Sequence, residues 1–167
     1  MTIDMYKGTK NSSWSTPDDI FEALNKSFIL EFDLACSADN IKCPEGFVFP
    51  DNDALRADWP TDKLCWMNPP FSRASSFFNK CKHECYLRGV KLISIYKASN
   101  LETKQWQKEI FCFADYVLFL NKRTAFVPSP GVKATGPAFG CALIFANVFL
   151  SDYVKDSLSE IGRLIEV

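Results

Sequence analysis

Four consecutive residues, Asn68-Pro69-Pro70-Phe71, have the chemistry needed to hold a planar amino group. They follow the apolar run 64–67, which is typical of a buried strand that ends abruptly at two prolines. The prolines remove two backbone donors, so nearby carbonyl oxygens can accept, and Asn68 adds a side-chain carbonyl acceptor. The Phe71 ring adds a flat apolar surface. The tetrapeptide therefore predicts a site for the exocyclic amine of a base, or for an amide.

The composition indicates one globular domain. The chain has 167 residues, of which 47% are apolar, and this is enough for a sizeable core. No apolar run approaches the length of a membrane span, and residues 1–5 lack the features of a signal peptide. The seven cysteines are odd in number and lie mostly in apolar segments, as expected of reduced thiols in an intracellular protein. We predict a flexible segment over residues 1–13 and a single domain over residues 14–167.

No metal site is predicted. The segment 81–85 contains Cys81, His83 and Cys85, but it lies on a predicted helix and no second ligand pair follows at a suitable spacing. His83, the single histidine of the chain, is interpreted as a solvated or structural side chain.

Charge is divided unevenly along the chain, although the formal net charge is only -1. Residues 1–62 carry 12 acids and 5 bases, whereas residues 63–133 carry 4 acids and 12 bases. Either solvated faces are segregated by chance, or a basic surface near the tetrapeptide meets phosphates.

The elements before the tetrapeptide are predicted from helix caps and periodicity. Thr16 is a natural N-cap and Pro17 suits the first helical position, so a helix is predicted from about Pro17 to Lys26. Its free N–H groups and the Thr16 hydroxyl could also hold a carboxylate. Alternation over residues 28–34 predicts a strand, and small residues at 35–38 would let a ligand approach the backbone at its carboxyl end.

Strands and helices alternate through the rest of the chain. The predicted strands are 47–49, 64–67, 90–96, 115–120 and 138–150, and the predicted helices are 75–87, 103–113 and 151–165, with a turn at 72–76. This alternation predicts a three-layer α/β fold. A hairpin of residues 115–127 and 138–150 is expected to add an antiparallel edge to a mostly parallel sheet.

The chain resembles the phage-type (Dam-like) DNA adenine-N6 methyltransferases, a branch of the class I S-adenosylmethionine-dependent methyltransferases. Motifs in family order over about residues 12–150 are Trp14-x-Thr16-Pro17, Phe32-Asp33-Leu34-Ala35-Cys36-Ser37, Asp53-x-Leu55 with Asp58-Trp59, Asn68-Pro69-Pro70-Phe71, and Lys122-Arg123-Thr124-Ala125-Phe126. Methyltransferases that act on protein glutamine also contain Asn-Pro-Pro-aromatic. The resemblance is specific because this chain contains Trp-x-Thr-Pro as well. The resemblance implies a Rossmann-like class I methyltransferase sheet.

By this resemblance the cofactor is S-adenosylmethionine. Thr16 and the helix behind it would hold the carboxylate of the cofactor's methionine part, and Asp33 would lie near its ammonium group. Asp53 would bind the amino group of the cofactor's own adenine. The expected cofactor-binding residues are Trp14, Thr16, Pro17, Asp33, Ala35, Ser37, Asp53 and Asp58. The chain departs from the wider superfamily because it lacks glycines after the first strand and a clear ribose-binding acid after the second.

The resemblance implies that the substrate is adenine in DNA, flipped out of a duplex into the site. Asn68 and the Pro69 carbonyl would draw the amine toward tetrahedral geometry and free its lone pair for attack on the methyl group. The reaction then requires neither a metal nor a strong base, and most of the catalysis is positioning. Stacking on Phe71, worth ~1–3 kcal/mol, would offset much of the flipping cost. Phe126 either closes the other face of the base or is a core residue of the hairpin. The expected catalytic residues are Asn68, Pro69, Pro70 and Phe71, and the expected DNA-binding residues are Arg73, Lys97, Lys122, Arg123, Phe126 and Lys133.

Two alternatives remain open. The first is a methyltransferase that acts on a glutamine amide of a protein, against which the basic stretch 63–133 argues modestly. The second is a non-catalytic module that binds nucleic acid or a partner and retains only the fold. A methyltransferase of this kind is expected in the cytoplasm, of the host cell if a phage encodes it. Sequence readout would come from residues 72–76 and 128–137, since no separate recognition domain fits this length.

Overall fold

The computed structural model describes residues 14–128 and 138–167. Its strands are β1 Phe32–Cys36, β2 Glu45–Val48, β3 Leu64–Met67, β4 Lys91–Lys97, β5 Tyr116–Ala125, β6 Ala138–Ala146 and β7 Gly162–Glu166. Its helices are α1 Asp18–Asn25, α2 Ala74–Cys81 and α3 Asp152–Ser159, with a 3-10 turn at Phe71–Arg73 and π-helical segments at Lys82–Leu87 and Gln105–Ile110. The predicted flexible segment 1–13 lies outside the described residues, and no described helix is long and apolar enough to cross a membrane.

The strands form one sheet in the order β2-β1-β3-β4-β6-β5-β7. The first four are parallel neighbours, so that Asp33 of β1 lies opposite both Gly46 of β2 and Trp66 of β3, and Trp66 lies opposite Ile93 of β4. From β4 onward every pairing is antiparallel. The prediction of an α/β sheet with a parallel part and an antiparallel C-terminal part is therefore confirmed.

Two buried clusters cover the two faces of the sheet. Trp66 and Ile93 face one cluster, whereas Cys65 and Leu92 face the other, because successive strand residues point to opposite faces. Helices α1 and α3 supply Phe21, Leu24 and Leu158 to the first cluster, and α2 with the π-helical segments supplies Phe77, Phe78, Cys81, Cys85, Trp106 and Ile110 to the second. The helices thus lie on both sides of the sheet, as the three-layer prediction expected.

The predicted last helix, residues 151–165, is wrong over its second half. Helix α3 ends at Ser159, and β7 then pairs antiparallel with β5. A Cβ atom at Gly162 would lie 2.3 Å from the Phe119 carbonyl oxygen, so glycine lets the two strands approach closely there. The sheet therefore ends at β7, and the predicted β5–β6 hairpin is internal rather than an edge.

Two boundaries near the site also differ from the predictions. Residues 28–31 precede the strand, because the Phe28 N–H still donates to the Leu24 carbonyl at the end of α1, at 2.9 Å. The predicted turn at 72–76 is mostly helical, since the Pro70 carbonyl accepts the Arg73 N–H at 2.9 Å and α2 begins one residue later. Strand β3, which leads into the tetrapeptide, has the predicted bounds.

The carboxyl ends of β1, β3 and β4 meet at one edge of the sheet because these strands are parallel neighbours. Ser37, Asn68 and Lys97 lie at these ends. Strand β6 begins at the same edge, where the Ala98 N–H donates to the Gly140 carbonyl at 2.7 Å. Ligands of open α/β sheets bind at such an edge.

Candidate active site

A cavity of about 280 Å³ opens beyond the carboxyl ends of β1 and β3. The predicted site residues that line it are Trp14, Ala35, Ser37, Asp53, Asn68, Pro69, Pro70, Phe71 and Arg73. The structure therefore brings the tetrapeptide, the small residues after β1 and one loop acid around a single space. Pockets that hold small ligands are usually concave and mostly apolar with a few convergent polar groups, and this cavity has that character.

The carboxamide of Asn68 is fixed by a backbone group. Its Nδ2 donates a hydrogen bond of 2.7 Å to the Trp14 carbonyl oxygen. Trp14 is held in turn by the next residue, since Ser15 and Val127 exchange backbone hydrogen bonds of 2.8 and 2.9 Å. With Nδ2 engaged, the amide presents Oδ1 on its other side as an acceptor for a ligand.

Phe71 is a half-buried ring surrounded by other rings. Its centroid lies 5.6 Å from that of Phe139, 5.7 Å from Phe126 and 6.0 Å from Tyr96, and each pair is close to perpendicular. Phe126 is only 2% exposed and makes an angle of 88° with Phe71. In this arrangement Phe126 supports Phe71 through an edge contact and does not lie parallel to it across a base-sized gap.

Asp33 and Thr16 are buried and do not line the cavity. The Asp33 carboxylate accepts the N–H groups of Ala35 at 3.2 Å and Lys42 at 3.0 Å. Burial nevertheless raises the pKa of Asp33 to about 6. Thr16 does not cap α1 as predicted, because Pro17 occupies the N-cap position. Thr16 is 1% exposed, and its buried hydroxyl has no hydrogen-bond partner within residues 14–128 and 138–167.

Asp53 and Arg73 form an ion pair in the cavity wall. Arg73 Nη2 lies 3.2 and 3.0 Å from the two carboxylate oxygens, and the Leu55 N–H donates to Oδ1 at 3.0 Å. The Leu55 N–H and the guanidinium hold the pKa of Asp53 below its ordinary value. The guanidinium also lies 5.1 Å from the Phe49 ring centroid. Arg73, predicted to contact DNA, is thus placed beside a predicted cofactor residue.

Asp58 is not brought to the cavity. Its carboxylate is exposed and lies 3.8 Å from Arg88 Nη1, next to a buried group centred on Glu84. Glu84 is fully buried and pairs with Lys80 as well as Arg88, and its carboxylate also accepts the Trp59 N–H at 3.4 Å, which ties the segment before β3 to the helix that follows α2. Asp58 therefore lies near a structural ion-pair network and not at the cavity where its predicted cofactor role would place it.

The other predicted DNA-binding residues lie apart from the cavity lining. Lys97 ends β4, and its Nζ is 5.9 Å from the Phe71 ring centroid. Lys122 and Arg123 are exposed on β5, near the register shift that precedes Arg123. Lys133 lies outside the described residues. Among the residues that the structure describes, no group of three or more acid, cysteine or histidine side chains could hold a metal ion.

Several lining residues were not predicted from the sequence. Phe47, Phe49 and Asn52 line the cavity, and all come from the segment 39–62, for which little structure was predicted. The available signal was the pair of phenylalanines around Val48, which was interpreted only as a brief strand. Gly46 is also informative, because a Cβ there would lie 2.6 Å from the Asp33 carbonyl oxygen, so glycine lets β2 approach the site strand.

Comparison with known proteins identifies the family of the chain. The family model described as DNA N-6-adenine-methyltransferase (Dam) matches residues 5–162. The chain belongs to this family. The predicted resemblance to Dam-like enzymes is therefore confirmed, and with it the prediction of an enzyme.

Two curated phage proteins are similar to this member of the Dam family. A DNA N-6-adenine-methyltransferase of Haemophilus phage HP1 (strain HP1c1) is 26% identical over 128 residues, which cover 76% of this chain and 73% of the relative. A DNA N-6-adenine-methyltransferase of Escherichia phage T1 is 33% identical over 81 residues, which cover 45% of this chain and 34% of the relative.

Proposed function

We propose that the protein transfers a methyl group from S-adenosylmethionine to the exocyclic N6 of adenine in DNA. The observation that carries this proposal is the fixed Asn68 carboxamide at the wall of the cavity, in a chain of the DNA N-6-adenine-methyltransferase family. A carboxamide oxygen beside an aromatic ring suits a planar amine attached to a heterocycle. The proposed fold is a Rossmann-like class I methyltransferase sheet, and the alternation of helices on both faces supports it.

The residues around the cavity fit S-adenosylmethionine. The Thr16 hydroxyl is a buried polar atom without a partner in the described part of the chain, next to the start of α1, where a carboxylate is favoured. The buried Asp33 carboxyl suits a neighbouring ammonium. Phe47 and Phe49 offer rings for a purine, and Asp53 offers a carboxylate for its amino group. We propose that Trp14, Pro17, Ala35 and Ser37 complete this site.

When bound, S-adenosylmethionine supplies a methyl group attached to a positively charged sulfur. The protein would contribute position rather than acid or base chemistry, because the sulfur would keep the electrons of the broken carbon–sulfur bond and leave as a neutral thioether, and the methylated amine would lose its extra proton to solvent. Asn68 Oδ1 would accept one hydrogen of the adenine amine and the Pro69 carbonyl the other, since the Pro70 carbonyl already accepts the Arg73 N–H. These two bonds would turn the nitrogen lone pair away from the ring and toward the methyl group. Such alignment alone can supply several kcal/mol of catalysis, on the order of 7–11 in favourable cases.

The target adenine would leave the DNA stack to reach Asn68, with Phe71 as the surface that receives it. Flipping costs on the order of a few kcal/mol, and stacking on one ring returns ~1–3 kcal/mol. Lys97, Lys122 and Arg123 are at the end of the sheet from which the DNA would approach, and Lys133 is proposed to join them. We propose that the enzyme acts in the cytoplasm of a host cell, where its DNA substrate is found.

Incubation with labelled S-adenosylmethionine and unmethylated DNA, followed by nucleoside analysis, tests this function. We expect labelled N6-methyladenine as the product. Label on glutamine of an added protein extract, but not on DNA, would favour the glutamine-amide alternative. Absence of cofactor binding by calorimetry would contradict every enzymatic version and leave the non-catalytic binding module.

A further inference from the structure

A second cavity of about 280 Å³ lies against the first, and Phe71 lines both. Its wall is otherwise built by the end of β4 and the segment that follows, including Lys97, Asn100, Thr103 and Gln105. The Phe71 ring is therefore a partition between the cavity that contains Asn68 and this second space. A ligand group held in the second cavity would be next to a base held against Phe71.

The wall of the second cavity is held in place by its own hydrogen bonds. The Trp106 indole Nε1 donates to the Lys97 carbonyl at 3.0 Å, and Trp106 is 1% exposed. The Thr103 hydroxyl donates to the Asn100 carbonyl at 2.8 Å. The first bond joins the end of β4 to the π-helical segment, the second lies within the loop between them, and Gln107 Nε2 donates to the Leu101 carbonyl of that loop at 2.8 Å, so the polar side chains of the cavity project from a fixed support.

The polar groups of this cavity suit a nucleotide. Lys97 Nζ lies 5.9 Å from the ring centroids of both Phe71 and Tyr96. A DNA strand whose adenine lies against Phe71 would bring a backbone phosphate close to this cation. Gln105 is half-buried and its carboxamide makes no hydrogen bond to the residues that the structure describes. A carboxamide offers one donor and one acceptor side by side, the combination that reads the edge of a base.

We propose that the second cavity binds the nucleotide next to the target adenine in the same strand. Lys97 contacts the phosphate, and Gln105 contacts the edge of the base and determines which neighbouring base is accepted. This inference rests on the proposed function, because it takes the adenine to lie against Phe71. It adds a specificity-determining position to the segments 72–76 and 128–137 from which sequence readout was expected. Gln105 also begins a π-helical segment, a feature often found at functional sites.

The test uses a short duplex with one adenine that the wild-type protein methylates, and two further duplexes with an abasic site on either side of that adenine. kcat/KM for methylation and the Kd for DNA are measured for the wild type, Gln105→Ala and Asn79→Ala. Asn79 is the matched control because it is an exposed carboxamide on α2 that lines neither cavity. Calorimetric binding of S-adenosylmethionine checks that Gln105→Ala retains its fold.

We expect loss of one neighbouring base to lower kcat/KM of the wild type and of Asn79→Ala by about tenfold or more, as for one lost base contact. For Gln105→Ala, we expect kcat/KM on the intact duplex to be already about tenfold below that of the wild type. Loss of the neighbouring base should then lower kcat/KM by less than about threefold. The same penalty in Gln105→Ala as in the wild type, with adenine still methylated, would overturn this inference and leave the proposed function standing. If the wild type methylates no adenine in any unmethylated DNA, so that no such duplex can be found, both this inference and the proposed function are overturned.

Discussion

Asn68 Nδ2 donates to the backbone carbonyl of Trp14, 54 residues earlier in the chain, at 2.7 Å. The bond ties the segment before α1 to the tetrapeptide after β3. It also decides which way the carboxamide faces, because the opposite orientation would set two oxygens against each other. The acceptor that the proposed chemistry needs is therefore oriented before any substrate arrives.

Asn68→Asp should lose activity in a pH-dependent way. The new carboxylate would face the Trp14 carbonyl oxygen, so its protonated form, which can donate, is favoured. At saturating cofactor and DNA we expect kcat to fall by about tenfold or more at pH 8, and the ratio of variant to wild type to rise as the pH falls toward 6. A pH–rate profile measures this ratio. If the ratio is the same at every pH, the Trp14 bond does not orient the side chain.

Cofactor affinity should depend on the ionisation of Asp33. Its pKa, raised to about 6 by burial, means that the carboxyl is neutral below pH 6 and must lose a proton to face an ammonium group. We expect S-adenosylmethionine to bind about tenfold more weakly at pH 5 than at pH 7, by calorimetry. Asp33→Asn should bind weakly at both values, with little pH dependence. A steep pH dependence that survives in Asp33→Asn would exclude this role.

Asp33 should also affect the stability of the unliganded protein, and here low pH rather than high pH should be favourable. The pKa of Asp33 is about 6 in the folded state and its ordinary value is 3.8, so between these values the folded state binds more protons than the unfolded state. Its contribution therefore favours folding at low pH and is lost as the pH rises through 6. Urea unfolding at pH 5 and 7.5 should show a smaller decline in stability for Asp33→Asn than for the wild type.

Arg73→Lys should weaken cofactor binding more than DNA binding. One guanidinium nitrogen, Nη2, makes both contacts to Asp53, so lysine keeps the charge and can approach these oxygens, but it loses the flat guanidinium that lies beside the Phe49 ring. We expect Kd for S-adenosylmethionine to rise by about tenfold while Kd for DNA changes by less than about threefold. Arg56→Lys, at an exposed position on the loop that carries Asp53, is the control. The reverse pattern would return Arg73 to its originally predicted role at the DNA.

Phe71→Ala should lose far more activity than Phe71→Tyr or Phe71→Trp. Stacking of a base on a ring is worth ~1–3 kcal/mol, and both aromatic replacements retain a ring. We expect kcat/KM of the alanine variant to be about tenfold or more below that of the aromatic variants. Thermal unfolding separates this effect from loss of packing against Phe126 and Phe139. Equal losses in all three variants at equal stability would mean that the ring does not hold a base.

Much of the site could be predicted because it is local in sequence. The tetrapeptide and β3 are adjacent in the chain, and two prolines fix the conformation there. The position of Ser37, Asn68 and Lys97 at one edge follows from parallel pairing, which alternation of helices and strands already suggests.

What could not be predicted depends on contacts between distant residues. The Asn68–Trp14 bond is set by the pairing of Ser15 with Val127, which no local pattern indicates. Strand β7 was missed because helical periodicity continued past Ser159, and only pairing with β5 favours an extended chain. Arg73 was assigned to DNA by its charge and its place beside the tetrapeptide, whereas Asp53, 20 residues earlier, turns it toward the cavity.

Single-turnover methyl transfer by Asn68→Ala tests most directly whether this side chain holds the adenine amine. The rate is measured with saturating S-adenosylmethionine and a duplex that the wild type methylates, and the Kd values for both are measured separately. Asn79→Ala, which removes an exposed carboxamide, should stay within about twofold of the wild type. We expect Asn68→Ala to bind both ligands and to be slower by about a hundredfold or more, as for loss of one aligned polar group. A rate within about threefold of the wild type would contradict the proposed mechanism.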